Sequence, residues 1–270
     1  MRHKALLSGL VTLLISVIMA PVAQAEMYVG GYAGFVRSAT VFRDYLVLTT
    51  HHPAQGTFER HQTRGTFNPS IIGGLKVGAW FNDQGALGGS YPDWMKYVGL
   101  YFDFSYHPQN FKSREGNTII ANDLARARNL FKSAGSTTTF AVMLAARYGF
   151  CGDKDVPFGR LQPYLGVGPA VIFTTQKISL SSRALIGGAL VPYMINPESD
   201  TDVTPALAIE PGLKWMVSKN LGLDFSFKFR WAHPSFTFHY IDPFSATPES
   251  MTLHPQYLIL SFQVGAAYHF

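Results

Sequence analysis

The sequence predicts an all-β fold, an eight-stranded antiparallel up-and-down transmembrane β-barrel, and three observations carry that expectation. The last residues, Leu258 to Phe270, alternate with period two and stop on an aromatic side chain. Past the first 25 residues no segment reaches the ~20 consecutive apolar residues that a membrane-crossing helix needs. The rest divides into alternating stretches joined by connections that are long and short in turn, the rhythm of a barrel with outer loops and inner turns.

Residues 1–25 read as a signal peptide: Met1-Arg2-His3-Lys4 is basic, Ala5 to Ala20 is almost wholly apolar, and Ala23-Gln24-Ala25 is a small-x-small cleavage site. The barrel domain is expected over 26–270, with the mature chain starting at Glu26. An exported chain with no spanning helix crosses a bilayer only as a closed barrel, because an open sheet edge leaves backbone groups unpaired in hydrocarbon.

Eight strands can be marked, each near the ~9 to 11 residues that a tilted membrane strand needs. They cover Met27 to Val36, Pro69 to Phe81, Lys96 to Tyr106, about Thr138 to Phe150, Leu161 to Phe173, Thr204 to Val217, Leu221 to Trp231 and Leu258 to Phe270. Alternate side chains of a strand point to opposite faces. In the third strand Val98, Leu100, Phe102, Phe104 and Tyr106 fall on the lipid side, and in the seventh Leu221, Leu223, Phe225, Phe227, Phe229 and Trp231 do. In the last strand Phe262, Tyr268 and Phe270 face lipid and read as the C-terminal signal for the barrel-assembly machinery, while Ser261, Gln263, Gly265, Ala267 and His269 face the lumen. A soluble β-sandwich also alternates, but its polar face would carry charge along its length, whereas here many glycines interrupt that face.

The connections after odd strands are long (Arg37 to Asn68, His107 to Thr137, Thr174 to Val203, Ala232 to Gln256) and belong outside the cell. Ser218-Lys219-Asn220 is the shortest inner turn, and Asn82 to Met95 fits the pattern least well. The formal charge is +5 for the chain and +3 without Arg2 and Lys4, with the basic residues scattered, so no nucleic-acid partner is implied. The single cysteine, Cys151, excludes an intramolecular disulfide. No phosphate-binding glycine motif appears and no cofactor is expected; the glycines sit inside strands, where they relieve crowding in the lumen.

Gln162-Pro163-Tyr164-Leu165-Gly166-Val167-Gly168-Pro169-Ala170, together with Glu210-Pro211-Gly212-Leu213-Lys214-Trp215 and Asn220-Leu221-Gly222-Leu223-Asp224-Phe225, resemble the small outer-membrane β-barrel domain proteins, the OmpA-like and OmpW-like group. The resemblance spans Glu26 to Phe270. It implies an outer-membrane location and an architecture, but no single activity, since that group holds structural, adhesive, immune-evasive and small-solute roles. The periplasmic domain of full OmpA has no counterpart here, so anchoring to peptidoglycan is not implied.

The register places Lys76, Asp103, Arg147, Glu210, Lys214, Asp224, Lys228 and Arg230 in the lumen. Charges in so narrow an interior are costly unless paired, and an eight-stranded barrel is just wide enough for side chains to fill it. The expectation is a charge network that plugs the barrel. The alternative is a gated path for small solutes, opened when Glu210 or Asp224 changes partner among Lys214, Lys228 and Arg230.

Five loop features bear on function. Asn122 to Lys132 has Leu124, Ala127 and Phe131 on one helical face, which predicts a short helix over the barrel mouth, with Arg126, Arg128 and Lys132 on an ordinary solvated face or, as the alternative, against lipopolysaccharide phosphates. Gly187-Gly188, inside the apolar stretch Ala184 to Ile195, predicts a turn between two short strands that either extend the barrel wall or fold into the mouth. Phe236, Phe238, His239, Tyr240 and Phe244 predict an aromatic surface. His233 and Ser235 with Glu249 form the weak outline of a lipid-modifying hydrolase, and His51, His52 and His61 that of a metal site; neither spacing brings its members together, so neither an enzyme nor a metal protein is expected. The expected role is structural, adhesive or surface-recognising through four long outer loops, as a monomer. Its partners would be outer-membrane lipids, lipopolysaccharide, the barrel-assembly machinery and a ligand presented from outside.

Overall fold

The strict alternation of large apolar and small or polar residues gives each strand one face for lipid and one for an interior, and such strands satisfy their backbones only by closing on one another. A computed structural model shows that closure; it describes residues 26–40, 45–52, 57–81, 92–113, 115–120, 125–186, 189–242 and 246–270. The strands are β1 (Glu26–Thr40), β2 (Tyr45–His52), β3 (Thr57–Phe67), β4 (Ser70–Trp80), β5 (Val98–Pro108), β6 (Phe111–Ser113), β7 (Glu115–Ile120), β8 (Ala125–Arg147), β9 (Leu161–Ile186), β10 (Ala189–Ile195), β11 (Asp200–Met216), β12 (Leu221–Ala232), β13 (Phe236–Ile241), β14 (Pro248–Leu253) and β15 (Tyr257–His269).

Eight of them form the barrel. The antiparallel ladder runs β1–β4–β5–β8–β9–β11–β12–β15 and returns to β1, where Tyr28 pairs with His269 and Thr40 with Tyr257. These eight correspond to the segments marked in the sequence, and every lipid or lumen assignment named above for β5, β12 and β15 agrees with the burial pattern.

The outer wall is apolar where the bilayer lies. Phe227 and Phe262 pair across β12 and β15 with ring centroids 5.0 Å apart, and both are exposed. Tyr268 pairs with Leu221 at one end of that ladder, and Trp231 stands at the other. Ten residues at ~3.3 Å each, tilted by ~40°, put the two aromatics roughly 25 Å apart, the height of a membrane barrel's apolar band. The chain is thus an outer-membrane-type barrel with aromatic residues at both borders.

The inner ends are tight. Between β8 and β9 the chain turns through Cys151, whose φ of 56° is left-handed, and Gly159, whose φ of 125° suits glycine alone. Asp153 accepts backbone N–H bonds from Asp155 at 3.0 Å and Val156 at 2.8 Å, and Arg160 donates to it. Arg160 also donates to the carbonyls of Met216 at 3.2 Å and Val217 at 2.9 Å, tying this turn to the one after β11. A 3-10 turn, Asp93–Tyr97, leads into β5; residues 82–91 of that long connection lie outside the described residues.

The outer ends depart from the expectation of loops. β8 has 23 residues and β9 has 26, more than twice what a bilayer needs, and they remain paired up to Leu130↔Ser181. β2, β3, β6, β7, β13 and β14 join them, so that the barrel sheet continues above the membrane. The helix expected over Asn122 to Lys132 is overturned: residues 125–132 lie in β8, where 125–130 pair with β7, Glu115↔Leu130 to Ile120↔Ala125, and 130–132 with β9, while 122–124 lie outside the described residues. Pairing with β7 over Ala125 to Leu130 and with β9 from Leu130 onward outweighs a local 3.6-residue pattern, because each ladder takes up backbone groups along the segment. β9 and β10 form the expected hairpin, Leu185↔Leu190, and extend the wall; Gly187 and Gly188 lie outside the described residues.

The expected aromatic surface is also overturned in part. Phe236 and Phe238 are fully buried, in a cluster with Phe67, Phe111, Phe131, Leu180, Met251 and Tyr257 that closes the outer mouth. Their rings stack at 6.0 Å, and Phe67 meets Phe111 at 5.4 Å and Tyr257 at 5.2 Å. On β13 the period-two rule sends Phe236 and Phe238 inward and leaves His239 exposed; Phe244 lies outside the described residues.

Candidate functional site: the charged lumen and its outer cap

All eight charged residues placed in the lumen by register do face it, and they separate into layers. At the inner mouth Arg147 on β8 reaches Glu26 on β1, with Nη2 2.5 Å from Oε2 and Nη1 3.2 Å from Oε1. Its guanidinium lies between rings, 4.4 Å from the Trp80 centroid and 4.3 Å from that of Phe158. His269 Nδ1 is 2.7 Å from Glu26 Oε1, and Lys214 Nζ sits 3.4 Å from His269 Nε2 and 4.1 Å above the Tyr28 ring.

The middle layer centres on Glu210, which is fully buried on β11. Lys76 from β4 pairs with its Oε1, and Lys228 from β12 approaches Oε2 at 3.0 Å. Lys76 also meets Asp224 at 3.1 Å, and Lys228 meets Asp103 on β5 at 2.6 Å. Tyrosines complete the set: Tyr101 donates to Glu210 at 3.1 Å, Tyr32 to Asp103 at 3.0 Å, and the Tyr164 hydroxyl lies 2.9 Å from Glu210 and 2.7 Å from Asp224. Glycines make room for these rings. A Cβ on Gly212 would come within 2.3 Å of the Tyr164 ring, and one on Gly166 within 2.5 Å of the Tyr101 hydroxyl.

β4 and β11 are opposite staves of the eight, as are β5 and β12. The Lys76–Glu210 and Lys228–Asp103 pairs therefore span the lumen and do not merely line it. Above them Arg230 crosses the same way, its Nη2 3.1 Å from Ser105 Oγ. Inward of Arg230, on the β12–β15 side, Ser226 stands opposite Gln263 and Lys228 opposite Ser261, Gln263 Nε2 donating to Ser261 Oγ at 2.9 Å. Outward of Arg230 come Gln109, Thr137, Thr174 and Gln176, and then the apolar cap. A path along the axis meets cross-wall ion pairs first and packed aromatics second.

Sequence reasoning missed three kinds of lumen residue. Glu26 was read as the start of the mature chain, yet its carboxylate bonds two lumen side chains. Tyr28, Tyr32 and Tyr164 occupy lumen positions that period two alone would have given. His107 and Gln109, at the outer end of β5, fall in the stretch expected to be a loop, and the inward alternation running on past Tyr106 is the signal that places them.

The other candidates fare differently. Ser235 Oγ lies 2.9 Å from His254 Nδ1, not against His233, whose ring packs on Trp231 at 4.9 Å; Glu249 accepts from Tyr240 at 2.8 Å. The three residues of the hydrolase outline are therefore not brought together. The side chains of His51, His52 and His61, and those of Arg126 and Arg128, lie outside the described residues. Lys132 is exposed, as are Lys177 and Arg183 on the adjoining part of β9. Phe262, Tyr268 and Phe270 all stand on the lipid face, Tyr268 edge-on to Phe270 at 5.2 Å.

No protein-family model matches the chain, and no curated protein does. Solved structures with a similar chain path include the outer membrane protein OprG from Pseudomonas aeruginosa, at 13% identity over 92% of this chain and 97% of that one, with a TM-score of 0.48. Neisserial surface protein A aligns at 12% identity over 92% of this chain and 99% of that one, with a TM-score of 0.35. The outer membrane protease OmpT from Escherichia coli aligns at 9% identity over 91% and 97%, with a TM-score of 0.41. Likeness of this degree assigns no activity.

Proposed function

We propose that this outer-membrane barrel is closed to solutes and acts through its outer rim, as a structural and surface-recognising protein and not as a channel. The observation that carries this reading is the continuation of the sheet above the bilayer around its own apolar core, over a lumen stitched across by ion pairs. A rim so built is a rigid platform, and recognition concentrates on segments held by a rigid scaffold. Exposed Lys132, Lys177 and Arg183 on β8 and β9, beyond the membrane-spanning part, suit the phosphates of lipopolysaccharide. The closed hydrogen-bond ladder leaves no barrel edge that requires a second copy. Proteoliposomes carrying the refolded protein should not swell in isosmotic arabinose; swelling at a rate that scales with the protein content would overturn the reading.

One observation favours the second reading, a gated path. Glu210 already serves two lysines, so a change of partner within the network needs only side-chain rotation. The hydrolase reading has less support, because no carboxylate is bonded to His254 among the described residues, and without such a group the imidazole is not oriented as a base. Acylation of lipid A in cells expressing Ser235→Ala should match that in cells expressing the wild type.

A further inference from the structure

Among the described residues five cations point into the lumen (Lys76, Arg147, Lys214, Lys228, Arg230) against four carboxylates (Glu26, Asp103, Glu210, Asp224), and the surplus is not spread evenly. Three of the cations hold carboxylates, and Lys214 rests on the Tyr28 ring beside His269. Arg230 has neither. It is wholly buried, no carboxylate lies within ion-pair distance of it among the described residues, and its Nε and Nη1 have no hydrogen-bond partner.

The groups around it lack partners as well. The Arg230 head rests on Ser105 of β5, which stands opposite Thr139 of β8 in the ladder; His107 is the next lumen-facing residue of β5. Thr139 Oγ1 and both ring nitrogens of His107 are buried without a hydrogen bond among the described residues. The nearest acid along β5, Asp103, is occupied by Lys228 and Tyr32. Ile259, paired with Arg230 in the ladder, and Ile172, paired with Thr139, belong to the apolar cap. A desolvated guanidinium in contact with an apolar layer is strongly disfavoured unless a counter-charge accompanies it.

We infer that the lumen holds a small inorganic anion of halide size between Arg230, His107 and Thr139, beneath the apolar cap. The ligand set is one of donors: two guanidinium N–H groups, one imidazole N–H in either tautomer, and a hydroxyl. The anion brings the lumen count to five against five and gives an acceptor to one edge of the Arg230 guanidinium, to one His107 N–H and to the Thr139 hydroxyl. Because cap and ion pairs close the site on both sides, it fills during folding and serves the stability of the outer half of the barrel. This inference does not depend on what the rim recognises.

The test is crystallisation of the refolded wild-type protein with bromide as the only halide, together with the midpoint of its heat-induced gel-mobility shift in chloride, bromide and the bulky organic anion gluconate at matched ionic strength. The expected results are a bromide anomalous peak within hydrogen-bond distance of Arg230 and a higher midpoint in both halides than in gluconate. Arg230→Lys, which keeps the charge but loses the fork of donors, should need about tenfold more halide for the same rise. Arg230→Gln should lose the halide dependence while a surface control, Lys219→Gln, keeps it. Water density without an anomalous peak, or a wild-type midpoint that ignores the anion, would overturn the inference, and should Arg230→Gln fail to fold, the wild-type peak still decides.

Discussion

Glu210 is the residue on which most of the lumen depends. It is fully buried, takes two ammonium groups and two tyrosine hydroxyls, and joins β11 to staves on the far side of the barrel. Exposed ion pairs contribute little, about 0 to 1 kcal/mol, whereas removing one member of a buried pair costs about 3–5 kcal/mol because the other charge is left stranded. Glu210→Ala is therefore expected to lose stability of that order, seen as a lower urea midpoint in folding into detergent-solubilised lipid. The lipid face gives a contrasting prediction: Phe227→Arg, near mid-bilayer, should cost about 2–4 kcal/mol with the lumen network intact. At this scale the sequence was most legible, since period two placed every charged lumen residue it named, from Lys76 to Arg230. Glu26 shares the inward face of Tyr28 and escapes only because the marked first strand begins at Met27; its partners are Arg147 and His269.

Among elements, the barrel strands were legible and the rim was not. A membrane strand repeats one pattern between lipid and lumen, so Leu221 to Trp231 announces itself. Ala125 to Lys132 does not: Phe131, Ala127 and Leu124 suit a helix, while Arg126, Arg128, Leu130 and Lys132 suit a strand, and only the partners β7 and β9 decide. Phe236 and Phe238 looked like a sticky surface for the same reason, since the core that buries them is built from β3, β6, β8, β9, β14 and β15. The inner turn between β8 and β9 carries a prediction about pH. The backbone N–H of Val156, and after it Arg160, hold the Asp153 carboxyl below its usual range. A lowered folded-state value adds stability that is present above the unfolded carboxyl value, about 3.9, and is lost as pH falls through the folded one. Hydrogen exchange at the Val156 amide, corrected for its intrinsic rate, should remain slow down to about pH 4 and quicken below it. Asp153→Asn should remove that dependence.

As a whole the molecule is a barrel filled in two ways, by charge pairs through the membrane and by aromatic packing above it. The first filling follows from eight strands, which leave an interior wide enough for side chains and little else. The second follows from strands that outrun the bilayer and must bury an inward apolar face somewhere. Together they place any recognition on the rim. Single-channel recording of the refolded protein in planar bilayers tests this most directly, with Glu210→Ala and Lys228→Ala alongside. The closed-barrel account predicts no conductance steps in the wild type or in either variant, because the apolar cap survives both substitutions. Discrete openings in the wild type, altered in size or frequency by either substitution, would contradict it and make the charge network a gate.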